Sequence, residues 1–188
     1  MRIMKLKGVL LFAILLIMLA GCSEKGQGTG LIKKDLTIER IGEEKSKVEY
    51  GMNRSDAEKV LGTGEKSSSM NFFSYKSGIK IMYREDKVAG ISLEKEAADA
   101  YQSPKIKIGM LKEDIKKAYG EDNVLVEADK TIDFAYDTKE GVFLTQDSKR
   151  KENIEDMENV YMISVAFDDN GYAERIMFLD QRMAMYMN

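Results

Sequence analysis

The chain has 188 residues, with 29 basic and 32 acidic side chains, a formal charge of −3, one cysteine, one proline, no histidine and no tryptophan. Without histidine, Ser-His-Asp and Cys-His nucleophilic arrangements and histidine-based zinc sites are excluded, and a single thiol cannot form an internal disulfide. The acidic balance argues against nucleic acid as a partner, since phosphates need a basic face.

The chain opens on Arg2, Lys5 and Lys7, continues through an apolar run from Gly8 to Leu19, and closes on Leu19-Ala20-Gly21-Cys22. A basic start, a short apolar stretch and small residues at its end describe a secretory signal peptide over residues 1–21. The run is too short for a retained membrane span, which needs roughly 20 apolar residues. The Leu-Ala-Gly-Cys ending resembles the lipobox of bacterial lipoproteins. That resemblance implies that Cys22 carries a diacylglyceryl group and becomes the new N-terminus, and two acyl chains anchor stably where one does not. The expected location is the extracytoplasmic face of the cell membrane, on a Gram-positive-type surface.

Removal of residues 1–21 leaves 167 residues and, with Arg2, Lys5 and Lys7 lost, shifts the charge from −3 to −6. That disfavours electrostatic adhesion to anionic lipid, while 167 residues suffice for a core without disulfides. Residues 22–30, glycine-rich and polar, read as a flexible tether, with structure expected from Leu31.

An internal repeat follows. Gly51-Met52-Asn53-Arg54-Ser55-Asp56-Ala57-Glu58-Lys59-Val60-Leu61-Gly62 aligns without gaps on Gly109-Met110-Leu111-Lys112-Glu113-Asp114-Ile115-Lys116-Lys117-Ala118-Tyr119-Gly120, at an offset of 58. Ala57, Val60 and Leu61, against Ile115, Ala118 and Tyr119, form one apolar stripe on a short helix. Asn53 suits an N-cap, and Gly62 and Gly120 sit where a left-handed C-terminal cap is wanted. Met52 and Met110 are positioned as hydrophobic staples; Leu111 is a poor cap.

Strand-like alternation follows each helix: Phe73 and Tyr75; Ile79, Ile81 and Tyr83; Ala89, Ile91 and Leu93; then Ile132, Phe134 and Tyr136; Val142 and Leu144; Ile163, Val165 and Phe167; Ile176 and Phe178. Such alternation predicts sheets buried on one face. Glu85-Asp86-Lys87 and Asn170-Gly171 read as hairpin turns. The charged stretch at about 145–160 has no counterpart in the first copy and is expected to form an extended loop. The predicted fold is α+β: two tandem repeats over residues 31–102 and 103–188, each a short helix packed on an antiparallel β-meander.

Gly-Met before a short helix, a closing glycine and a meander resemble the small-lipoprotein superfamily of the β-lactamase inhibitor protein and the SmpA/OmlA outer-membrane assembly lipoproteins. The Pro104–Gly120 stretch is also similar to a segment of many Gram-positive surface lipoproteins. Only Gly51, Met52, Gly62, Gly109, Met110 and Gly120 carry over, as structural positions. The resemblance implies non-enzymatic work, in which the open sheet face binds another envelope or extracellular protein, with no cofactor and no catalytic residue.

Asp168-Asp169-Asn170-Gly171 lacks the ligand spacing of a calcium loop and is read as a turn. Glu152, Glu155, Asp156 and Glu158 are read as a solvated acidic run rather than working carboxylates. Met183, Met185 and Met187 place thioethers at alternate positions, and soft sulfur suits Cu(I); a frayed tail or a last strand packing flexible methionines is the structural alternative, and no metal site is assigned. Met82, Met162 and Met177 fall out of phase with the core residues, with Lys80 and Arg84 beside Met82. They are either scattered surface residues or an adaptable protein-binding face. A carboxylate-only hydrolase and a small-molecule or copper sensor are the competing functions.

Cys22→Ala is expected to abolish maturation to a lipidated, membrane-bound form, read by metabolic labelling with a clickable fatty acid and by membrane fractionation; continued labelling of the variant would refute the lipobox reading.

Overall fold

The computed structural model describes residues 30–67, 72–149 and 151–186; Cys22, the signal segment and tether residues 22–29 lie outside them. The fold is α+β, and every strand ladder is antiparallel. Strands β1 (Thr37–Arg40) and β2 (Glu43–Glu49) form a hairpin that β7 (Tyr101–Gln102) extends into a three-stranded sheet. The other strands are β3 (Glu65–Lys66), β4 (Phe72–Ser74), β5 (Ile79–Arg84), β6 (Lys87–Glu94), β8 (Val124–Ala128), β9 (Thr131–Asp137), β10 (Val142–Leu144), β11 (Val160–Phe167) and β12 (Ala173–Asp180). They make one nine-stranded sheet in the order β10-β9-β11-β12-β6-β5-β4-β3, with β8 also paired to β9. Four α-helices are described: α1 (Arg54–Leu61), α2 (Lys112–Tyr119), α3 (Ile154–Met157) and α4 (Gln181–Ala184).

One face of the large sheet carries the alternating residues Ile79, Ile81, Ile91, Leu93, Ile132, Phe134, Ile163, Val165, Phe167, Ile176 and Phe178, all buried. Leu36, Ile38 and Val48 of the small-sheet region, Ala57 of α1, and Ile115 and Tyr119 of α2 close the same core over them. Leu31, at the start of the described chain, is buried in it, and Gly30 packs so tightly on Tyr136 that a Cβ there would stand 2.0 Å from its hydroxyl. The small sheet was not foreseen, because the β1–β2 hairpin is rich in charge and only Ile38 and Val48 mark its inner face.

Three phase assignments need correction. A β-bulge between Met82 and Tyr83 makes Ala89 the extra residue of β6, so it joins the cluster on the opposite face. On β10 it is Phe143 that packs against the core, while Val142 is exposed. On α2 Ala118 faces solvent, leaving Ile115 and Tyr119 to carry the stripe.

The duplicated Gly-Met segments have a shared physical role. The Gly51 N–H donates to the Val88 carbonyl (2.7 Å), the Val88 N–H to the Met52 carbonyl (2.8 Å), and the Arg54 N–H to the Asp86 carbonyl (2.7 Å). The Gly109 N–H donates likewise to the Ala173 carbonyl (2.8 Å), the Ala173 N–H to the Met110 carbonyl (2.9 Å), and the Lys112 N–H to the Gly171 carbonyl (3.3 Å). Each helix is thus latched by its entry segment to the tip of a hairpin, β5–β6 or β11–β12. The latch turns the chain through positive φ at Gly51 (+84°) and Gly109 (+82°), a conformation that costs a residue with a Cβ about 1–2 kcal/mol.

This also corrects the capping prediction. Neither Asn53 nor Leu111 makes a side-chain cap bond. The hairpin carbonyl accepts the first helical N–H instead, which is why a non-capping leucine is tolerated there. Gly62 and Gly120 do have positive φ (+86° and +91°), but with extended ψ they lead the chain out of the helix rather than coiling into a left-handed cap.

Glu85 and Asp86, at the β5–β6 tip, both hold positive φ (+51° and +55°) without being glycine. This is the two-residue hairpin geometry that Asn-Gly satisfies at less cost. Glu85→Asn with Asp86→Gly is expected to raise unfolding stability by about 1 kcal/mol in urea titration. Tyr119 has a buried hydroxyl with no hydrogen-bond partner among the described residues, and burial drives its phenol far above the ordinary range. Tyr119→Phe should leave stability unchanged or raise it by up to about 1 kcal/mol, whereas loss would show that the hydroxyl has a partner.

Candidate functional site

On the face away from the core, the register aligns two rows of side chains across the strands. One row reads Phe72, Met82, Gly90, Leu179, Met162, Ala135 and Leu144; the other reads Ser74, Lys80, Ser92, Met177, Ser164, Asp133 and Val126. An apolar track therefore runs beside a mixed track of three serines and Met177, with Lys80 and Asp133 towards its two ends. With strands about 4.8 Å apart, the four intervals from β5 to β9 set the backbones of Lys80 and Asp133 roughly 19 Å apart across the sheet. Gly90 is the low point of the apolar track: Met82 lies across it, with Cε 2.3 Å from where a Cβ would stand.

Apart from Ser74, Met82 and Gly90, the residues of these rows floor a cleft of about 1070 Å³. Its walls come from the stretch expected to be a solvated loop, and that expectation is corrected. Asn153 caps α3 by accepting from the Glu155 N–H (2.9 Å), and Met157 is buried. Lys151 reaches the buried carboxylate of Asp137 at 2.7 Å, and its carbonyl accepts from Gln181 of α4. Asp156 pairs with Lys139, and Glu158 with Arg84 and Arg182. Only some of the acidic run faces water, because the insertion carries its own helix and is pinned at both ends.

Beneath α4 lies a buried polar knot. Asp180 is fully buried and accepts from Tyr50 Oη (2.5 Å), Arg84 Nη2 (2.7 Å) and, at the α4 N-cap, the Met183 N–H (2.8 Å). Burial together with the neighbouring Asp180 carboxylate pushes the Tyr50 phenol well above its ordinary range. Burial opposes the Arg84 charge, but Asp180 outweighs it and keeps the guanidinium protonated. The knot joins β5, β12 and the segment after β2, and Tyr50 stacks obliquely on Tyr161 at 5.2 Å between ring centroids.

The residues expected on a binding face divide accordingly. Lys80, Met162 and Met177 line the cleft, with Lys80 held by Glu94 at 3.2 Å. Met82 is not exposed: at 2% accessibility it packs with Ala89, Leu179 and Met183. Arg84 belongs to the buried knot. Met183 and Met185 do not share a strand face, since the chain turns into α4; Met183 is buried, Met185 is exposed, and Met187 lies outside the described residues. Asp168 forms a turn by accepting from the Asn170 and Tyr172 N–H groups. Gly90, Ser164 and Asp133 were missed, because a lone strand glycine and out-of-phase polar residues acquire meaning only through register. Asp133 Oδ1 is buried without a hydrogen-bond partner among the described residues.

Of the acidic groups on the sheet floor, Glu94 is engaged by Lys80 and Ser92, and three strand intervals, about 14 Å, separate its strand from that of Asp133. Among the described residues no three His, Cys, Asp or Glu side chains converge as a metal site, and no helix is long and apolar enough to cross a membrane. No protein-family model, curated protein or solved structure matches the chain.

Asp180→Ala removes the buried carboxylate from Arg84, leaving it only the more exposed Glu158, and removes the α4 cap, so an unfolding cost of about 3 kcal/mol is expected in denaturant titration. For Asp137, burial works to raise the carboxyl, but Lys151 and the Glu140 and Lys139 amides hold it below the ordinary value. A carboxylate lowered on folding stabilises above its unfolded value, about 3.9, and loses that contribution as pH falls through the folded value. Asp137→Asn should therefore be less stable than the parent at pH 7, with the gap closing below about pH 4.

Proposed function

We propose that this protein is a lipid-anchored, extracytoplasmic lipoprotein, tethered to the membrane through diacylglyceryl Cys22, that binds an extended segment of another envelope or extracellular protein in the cleft. The observation that carries this reading is the two-row floor. An apolar track beside a more polar one, with Lys80, Ser92, Ser164 and Asp133 around Met177, complements a chain segment with one apolar edge and one hydrogen-bonding edge, and the roughly 19 Å between Lys80 and Asp133 fits about six extended residues. Partly buried Met162 and Met177 add an adaptable surface.

The same reading takes the fold as two tandem copies, residues 31–102 and 103–188, akin to the small-lipoprotein superfamily. The constant offset of 58 and the matching trios of hydrogen bonds at the two helix entries support it. The role is non-enzymatic: the distance between Glu94 and Asp133 weighs against a carboxylate pair acting on one bond. A small-molecule ligand is the second reading, favoured by a cleft volume of about 1070 Å³, close to the range of roughly 300–1,000 Å³ for such sites.

The test is photo-crosslinking from the half-exposed Val126 position in the membrane-anchored full chain. A discrete protein product is expected, mapped by mass spectrometry to an extended apolar segment, and lost when Ser164→Arg fills the floor. No product, or one indifferent to Ser164→Arg, overturns the reading; a small molecule retained in native mass spectrometry, and lost in Ser164→Arg, would replace it with the second.

A further inference from the structure

Three strands and one helix bring together methionines that are scattered in sequence. Met82 extends from β5 over Gly90, its sulfur 3.2 Å from where a glycine Cβ would stand, and so occupies the column of β6. Met177, on the adjacent β12, is the diagonal neighbour of that column, and Met162, on β11, is directly opposite Leu179 and diagonal to Met177. Diagonal positions on one sheet face stand about 7–8 Å apart, within reach of two long side chains. Met183 descends from α4 onto the same patch and packs with Met82 and Leu179. Three strand-borne thioethers and one helix-borne thioether thus belong to one packed cluster around Gly90 and Leu179. Met162 and Met177 line the open cleft, which gives a path inward.

We infer that this cluster is a binding site for Cu(I). Thioether sulfur is soft, neutral and uncharged at every pH, and it selects the soft monovalent ion over hard divalent cations. No proton is released and no redox step is involved; the ion arrives as Cu(I) and exchanges its solution ligands for three or four sulfurs. Leucine would fill the same volume at these positions, so packing alone does not require sulfur at all four. The site shares the cleft with the proposed protein-binding function but does not depend on a partner.

The experiment titrates the detergent-purified full chain, carrying Cys22→Ser to remove the competing thiol, with Cu(I) against a chromogenic Cu(I) chelator. One equivalent is expected, with shifts of the Met82, Met162, Met177 and Met183 methyl signals in methionine-labelled NMR. Met82→Leu with Met177→Leu should weaken binding at least tenfold, whereas Met185→Leu on the exposed end should not. Retained thermal unfolding in the double variant verifies the fold; if it unfolds, Met162→Leu alone provides the same comparison. No uptake by the parent, or uptake unchanged by these leucines, overturns the proposal. Met82 and Met183 are buried and do not line the cleft, so Met82→Leu with Met183→Leu should weaken copper binding while crosslinking from Val126 survives, which makes failure of the copper site and failure of the protein-binding reading separately visible.

Discussion

The pairing of β6 with β12 is the constraint on which everything else rests. It runs from Glu94 against Arg175 to Gly90 against Leu179 and fuses two sets of strands into one nine-stranded sheet. On the inner face it sets Ile91 beside Phe178 and Leu93 beside Ile176, giving one continuous core instead of two small ones. A larger core buries a greater share of its chain, which matters for a protein without disulfides. On the outer face the same pairing aligns Met82 and Lys80 with Met162, Met177 and Asp133. Without that junction neither row of the cleft floor would exist. A slip of one residue would exchange the two faces, so burial of the inner residues enforces the register of the outer ones.

Three fastenings hold this arrangement at its periphery. The hairpin latches orient α1 and α2 over the core by main-chain bonds, leaving their side chains free to vary. The Tyr50–Arg84–Asp180 knot ties the small-sheet connection to both β5 and β12, across the junction. The Lys151–Asp137 pair and the Gln181 bond draw the insertion and α4 against the cleft rim. The first is built of backbone and tolerates sequence change. The other two place charge in low dielectric, where removing one partner leaves the other uncompensated.

Much of the inner face was legible in the sequence. Ile79-Ile81, Ile91-Leu93, Ile132-Phe134 and Ile163-Val165-Phe167 alternate cleanly, and the strands they predict are present. The Gly-Met segments were legible as a repeat but not in their mechanism, since an accepting carbonyl on a distant hairpin leaves no trace in local residue choice. Ala89 escaped because a bulge breaks strict alternation, and Phe143 because Val142-Phe143-Leu144 is apolar throughout and shows no phase. The cleft was half legible: Met162, Met177 and Lys80 stood out of phase, yet Met82 and Arg84 looked exposed for the same reason. Phase identifies a face; it cannot tell which part of that face α4 covers. The charged insertion concealed its short helix behind a composition typical of solvated loops.

Gly90 shows how one absent side chain shapes function. A Cβ there would meet Met82 and approach Leu179 at 3.3 Å, so any larger residue would lift Met82 out of the sheet surface. With glycine, Met82 folds flat, α4 can settle on it through Met183, and the outer face divides into a covered end and an open cleft. The division sets what each end can do. The open end offers hydroxyls and partly exposed methionines, which suit a ligand that comes and goes. The covered end offers converging sulfur with little competition from water. A single sheet face thus acquires two chemical environments, each built from residues on both sides of the strand junction that made the face continuous.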